Sequence, residues 1–397
     1  MTPAPSSSSA PPHKLMRLAL GGAVFLTILS GGLFYAATVQ YGNQTTADVV
    51  KVEVGDKTCN PNHLSVPAGR QTFEIFNASS RPIEWEILQG VMVVEERENI
   101  APGFRQTLTA TLAPGEYRMT CGLLSNRPGD MIVTPTAASD ASGDAVPLLK
   151  AFIGPLSEYK VYVTLQASTF ERKAAMLAEA VASGDLNKAR DAYQATRLPY
   201  KQIEAIGGRF ADLQSRLDVA ALYLEKHEQD PAFTGFHRIE YGLYEQNSLD
   251  GLQDVAKHLS EDAAALKQRL REAKLSPDYL ASSASLLARR IADGRVDTGE
   301  DLYAHSDLVD FAANLIGMQK MATLLAPAMT GDALPAAQQL QARIEALSAL
   351  LDSFKAGDAY PDYTSIKADE RAKIKSAFND LANAFEAAGD ALRRVAA

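Results

Sequence analysis

Polar and apolar residues alternate with a period of two in six short runs between residues 49 and 133. The runs are Val49–Val54, Gln71–Phe76, Ile83–Leu88, Thr107–Leu112, Tyr117–Cys121 and Met131–Val133. This alternation predicts strands that each bury one face. Turn residues separate them at Val66-Pro67-Ala68-Gly69, Asn77-Ala78-Ser79-Ser80 and Ala113-Pro114-Gly115-Glu116. Strands about ten residues apart predict a small all-β Greek-key sandwich over residues 48–134. Residues 135–146 (PTAASDASGDAV) are small and polar and read as a linker. From Pro147 the period lengthens to that of a helix, as in Met176–Val181 and Leu340–Leu347. Breaks are expected near Ser183-Gly184-Asp185, Leu198-Pro199, Gly207-Gly208, Asp230-Pro231, Ser276-Pro277 and Pro335. The pattern over residues 147–397 therefore predicts an all-α region of about eight to ten helices, arranged as two packed bundles.

A different pattern occupies the N-terminus. Residues 18–39 carry no charge, and a helix of that length reaches about 33 Å, enough to cross a bilayer core. His13, Lys14 and Arg17 precede it, and the next basic residue is Lys51. That asymmetry places residues 1–17, a Pro/Ser-rich tail expected to be disordered, in the cytoplasm and the rest of the chain outside. The apolar run is longer than a signal-peptide core and lacks a small-x-small cleavage site, so an uncleaved membrane anchor is expected.

Composition narrows the chemistry. A net charge of −9 over 397 residues excludes nucleic acid as a partner, because that role needs clustered Lys and Arg. Cys59 and Cys121 are the only cysteines, so the helical region holds no thiolate metal site. In an oxidising compartment the two form a disulfide, remain as plain thiols, or make a soft copper site with Met119. A blue-copper centre needs two histidines. The β region offers only His63 and none after Cys121.

Two further constellations are candidates. Glu84 and Glu86 flank Trp85 and share one strand face, and Glu95, Glu96 and Glu98 follow closely. Carboxylate oxygens suit Fe(III), Mn, Mg or Ca, while a solvated acidic edge is the plainer reading. On a helix, His237 and Glu240 are one turn apart and could take the same metal. Alone, His-x-x-Glu is a weak signal.

The turns Val66-Pro67-Ala68-Gly69 and Leu112-Ala113-Pro114-Gly115-Glu116-Tyr117, followed by Met119-Thr120-Cys121, resemble those of cupredoxins. Glu84–Leu88, Gly90–Phe104 and Thr120–Leu124 more specifically resemble the cupredoxin domain of the EfeO family, periplasmic components of bacterial Efe-type iron uptake systems. Gly235-Phe236-His237-x-x-Glu240 resembles the signature of imelysin-like domains, which form the second half of that family, and Phe210–Leu213 and Tyr303–Asn314 extend the similarity. The resemblance covers residues 48–390. It implies a periplasmic protein that binds iron, with copper as a further cofactor of the first domain, and delivers iron to an oxidase-type permease alongside a periplasmic haem peroxidase. It also implies that Glu204, Asp218 and Glu300 join His237 and Glu240 around the metal, with His305 and Asp307 behind them. One departure stands out: Lys201 replaces the carboxylate that the family often has in Tyr-Glu-x-Ile-Glu. A metal-dependent enzyme, either a ferroxidase or an imelysin-type peptidase, is the alternative function, although no His-Glu-x-x-His occurs. A surface-polymer or polysaccharide binder is the third, disfavoured by an aromatic content of 7%.

Overall fold

The computed structural model describes residues 49–90, 92–123, 125–136 and 152–396. The expected tail, the expected membrane anchor at 18–39 and most of the linker lie outside these residues. Among the described residues no helix is long and apolar enough to cross a membrane.

Among the described residues nine strands build a two-sheet sandwich: β1 (Val50–Val54), β2 (Cys59–Asn60), β3 (His63–Pro67), β4 (Gly69–Asn77), β5 (Ile83–Gln89), β6 (Met92–Ile100), β7 (Arg105–Leu112), β8 (Gly115–Met119) and β9 (Gly129–Thr134). One sheet runs β2-β1-β4-β7 and the other β3-β9-β8-β5-β6. Alternate residues point inward, so Phe73, Ile75, Trp85, Ile87, Leu108, Met119 and Met131 fill the space between the sheets. The Tyr117 hydroxyl donates to the Ala113 carbonyl at 3.0 Å and closes the turn before β8. Cys59 and Cys121 are joined by a disulfide, with an S–S distance of 2.02 Å. This corrects the reading of both residues as thiolate copper ligands: each sulfur is committed to the other, and Met119 belongs to the core. His63 sits on the surface beside Asp130. In the chain-entropy account, closing a loop of 62 residues stabilises the fold by about 4 kcal/mol.

The helical region contains α1 (Ile153–Ala182), α2 (Leu186–Gly207), α3 (Ala211–Leu217), α4 (Gly235–Glu240), α5 (Leu252–Glu272), α6 (Pro277–Arg290), α7 (Asp307–Leu325), α8 (Leu334–Asp352) and α9 (Ala368–Ala396). Helices α1, α2 and α5 pack together, as do α6, α8 and α9, and α7 lies against α2 and α8. Caps fall where expected. The Asp185 side chain accepts from the Lys188 amide, Ser276 caps α6 ahead of Pro277, and Pro335 sits in the first turn of α8. The break expected at Leu198-Pro199 does not occur, and α2 runs through it. Proline removes one helical hydrogen bond, but here the surrounding turns are held by the burial of Tyr193, Tyr200 and Ile203.

Strand β6 joins the two regions. The Val93 amide donates to the Arg209 carbonyl at 2.9 Å, and Leu88 and Val93 pack on Leu286. Arg290 of α6 clasps Glu96 with both its Nε, at 2.6 Å, and its Nη2, and its Nε also lies 2.9 Å from Glu98. Arg97 pairs with Asp293, and Arg81 donates to the Leu224 carbonyl at 3.0 Å.

Candidate metal centre

Between the two regions lies a cavity of about 560 Å³. Glu84, Glu86 and Glu98 line one wall, and Asp218, His237 and Glu300 line the other.

On the β wall, carboxylate oxygens of Glu84, Glu86 and Glu96 lie within 4.8 Å of one another. Glu84 and Glu86 are two apart on β5, so their carboxyls share one face of the strand. Burial, then the neighbouring acids, pushes Glu86 up to about 7 and raises Glu84 and Glu98 as well. Glu95 and Glu96 have further neighbours from the helical region. Glu95 lies on the other face of β6, near Arg209 and Arg289. Glu96 is gripped by Arg290, while its carboxylate also stands with those of Glu84 and Glu86.

On the helical wall, five side chains from distant points in the chain form one network. Glu204 comes from α2, Asp218 from the end of α3, His237 and Glu240 from α4, and Glu300 from the loop before α7. His237 Nδ1 donates to Glu240 Oε2 at 2.8 Å, while its Nε2 lies 3.4 Å from Asp218 Oδ1. The other Glu240 oxygen accepts from the backbone amides of Tyr303 and Ala304 at 2.7 and 2.9 Å. Glu240 thereby orients the imidazole, and ligand atoms of His237, Glu240 and Asp301 lie within 4.8 Å of one another, as a shared metal would need. Burial lowers the His237 pKa, but Glu240 and Asp218 overcome it and hold the ring above its ordinary value. Asp307 accepts from the Glu300 amide at 2.6 Å and fixes that loop, while His305 contributes through its backbone.

Three basic residues enter this network. Lys201, Arg197 and Arg295 all contact its acids. Arg197 and Arg295 were not anticipated. The signal was present for Arg197, because residues 197, 201 and 204 follow at i, i+4 and i+7 and share one face of α2. Arg295 lies in a π turn, Ile291–Arg295, that a 3.6-residue period does not foretell.

The buried acids fall into two groups with opposite pH behaviour. Burial raises Asp301 and Asp307 to about 7 and Asp310 to about 8, as it raises Glu86 and Glu95 to about 7. Burial would also raise Glu300, but Arg295 and Lys201 hold it down to about 2. Folded-state carboxyls with raised pKa bind protons more tightly than the unfolded chain does. Their stabilisation is complete below about pH 4 and is lost as pH rises to 7–8. Glu300 acts oppositely: its stabilisation is present above about pH 4.5 and fades as pH falls towards 2. The metal-free protein is therefore expected to melt at a higher temperature at pH 5 than at pH 8. A calorimetric scan showing the reverse order would refute this balance.

A β-sandwich joined through a carboxylate-lined cavity to a helical region with a buried His-x-x-Glu pair defines a two-domain, cupredoxin-plus-imelysin protein. The family model of the cupredoxin-like domain matches residues 25–133, and that of imelysin matches residues 155–387. The iron uptake system component EfeO of Yersinia pestis is 40% identical over 333 residues, covering 84% of this chain and 88% of that protein. EfeO of Escherichia coli K12 is 38% identical over 339 residues, covering 85% of this chain and 90% of that protein. The chain belongs to the EfeO family of iron uptake system components.

Proposed function

We propose that this protein captures iron in the cavity between its domains and passes it to a membrane permease on the periplasmic face of the inner membrane. One observation carries the site: carboxylate oxygens of Glu84, Glu86 and Glu96 lie within 4.8 Å of one another, and Glu84 and Glu86 line the cavity. Three buried carboxylates converging at one place are better accommodated with a cation among them. Hard oxygen donors favour iron, which the Glu84 and Glu86 carboxylates would bind as they ionise. The family membership supports iron as the cargo. The basic cluster before residues 18–39 supports export with the chain still tethered, which would keep it close to the permease.

The test is iron binding by the Glu84→Gln, Glu86→Gln double variant. Losing one supporting partner of a metal ligand costs about 10–100-fold in affinity, so losing both carboxylate charges is expected to weaken binding at least about 100-fold. Titration calorimetry with Fe(II) under anaerobic conditions reads this directly. Equal affinity in both proteins would remove the cavity carboxylates from the reading.

A further inference from the structure

We propose that Lys201 is a built-in cation that takes the place of metal in the helical pocket, so that Glu204, Asp218 and Glu300 are closed to iron in this chain. The inference rests on the reading that the protein binds iron, but it concerns a different wall of the cavity.

The geometry leaves little alternative. The Lys201 ammonium lies 2.8 Å from Asp218 Oδ2 and 3.1 Å from Glu204 Oε2, and it also donates to Glu300 Oε1. An ammonium has three N–H donors, and here three carboxylates accept them. The remaining oxygens of these acids are also taken. Arg197 Nη1 is 3.2 Å from Asp218 Oδ1, Arg295 Nη1 is 2.7 Å from Glu204 Oε1, and Arg295 Nε is 2.8 Å from Glu300 Oε2. Thus all six carboxylate oxygens face a protein cation. The Lys201 side chain is fully buried, so it cannot swing into water without opening the packing between α2 and α7. That packing is tight: a side chain at Gly317 of α7 would place its Cβ 2.1 Å from the Gln202 carbonyl.

A metal in this pocket would need oxygens at about 2.0–2.6 Å, with the ammonium gone. Two charged species cannot share the space, and the lysine is covalently tethered. The pocket is therefore a structural charge cluster, and the receptive carboxylates are those of the β wall. Lys201 sets this selectivity by removing a competing site from the route of the cargo.

The experiment uses Mn(II), a cation that suits the same oxygen donors and is counted by its EPR signal. It is run on the full chain carrying Glu84→Gln and Glu86→Gln, which silences the β wall. With Lys201 present, this protein is expected to bind no Mn(II) that Asp218→Asn abolishes. Adding Lys201→Glu is expected to gain one Mn(II) per chain, which Asp218→Asn removes again, and to raise the melting temperature on adding Mn(II). Should Lys201→Glu fail to fold, Lys201→Gln carries the same test, since it removes the charge and ends one atom short of the lysine in a neutral amide. The proposal falls if the Lys201 protein already binds Mn(II) through Asp218, or if a folded Lys201 variant gains none. A native chain indifferent to Glu84→Gln and Glu86→Gln would instead overturn the cavity reading and leave this one standing.

Discussion

Arg197→Leu is expected to destabilise the protein by about 3–5 kcal/mol, the usual result of removing one member of a buried ionic group. The guanidinium is wholly buried and contacts four acids. Its Nε donates to Asp310 at 2.7 Å, and its terminal nitrogens lie 3.1–3.2 Å from Asp218, Glu300 and Asp301. It also stands over the Phe236 ring, 5.1 Å from its centroid, so it links the charge cluster to the aromatic core. Leucine would fill much of the volume but leave Asp310 and Asp301 without the cation that keeps burial from raising them further. Some of the cost would be relieved by proton uptake, so the loss should be smaller at pH 5 than at pH 8. Urea unfolding followed by far-UV circular dichroism measures the difference. A loss below about 1 kcal/mol at pH 8 would show that the acids find other partners and that Arg197 is not central.

The element types followed from local pattern, and the site followed only in part. Strands β1, β4, β5, β7, β8 and β9 announced themselves because one face is buried and alternation records that fact. Strand β6 did not. Its run Val93-Val94-Glu95-Glu96-Arg97-Glu98 looks like a solvated acidic edge, yet its outer face meets α6, and Glu96 is buried against an arginine 194 positions away. A strand that faces protein on both sides, with ion pairs on one of them, loses the polar-out signature that a two-state reading depends on. The same holds for α2. Its buried stripe contains Arg197, Lys201 and Glu204, residues that a hydrophobic period counts as exposed. The four acids and the imidazole were found by resemblance, but the cations that neutralise them came from helix geometry and from a π turn. Lys201 was visible as a departure from the family. Its consequence needed coordinates, because whether a lysine repels metal from a distance or sits among the ligands depends on where its tip lies.

Gly235→Ala is expected to cost about 2–5 kcal/mol and to displace His237. Gly235 opens α4 with a φ of +68°, a conformation that charges an L side chain about 1–2 kcal/mol. Space is the harder constraint. A Cβ at this position would lie 2.3 Å from the carbonyl oxygens of both Arg216 and Leu217. These are backbone atoms at the end of α3, so no rotamer change relieves the clash, and overpacking adds about 1–3 kcal/mol. The next residue, Phe236, is locked between Phe170 and Tyr200 with centroid distances of 5.8 and 5.2 Å, so α4 cannot simply slide. The strain falls on the segment that ends in Asp218, the residue facing His237 Nε2 at 3.4 Å. The glycine of the Gly-Phe-His-x-x-Glu signature is thus explained by close approach: it lets α4 start against the end of α3, which brings the imidazole to the carboxylate. Urea unfolding checks the stability loss, and the pH titration of the His237 ring by NMR checks the geometry. The ring should titrate closer to its ordinary value, having lost part of the Asp218 contact that raises it. An unchanged denaturation midpoint together with an unchanged His237 titration would mean that the backbone of α3 yields freely and that this glycine does not set the site.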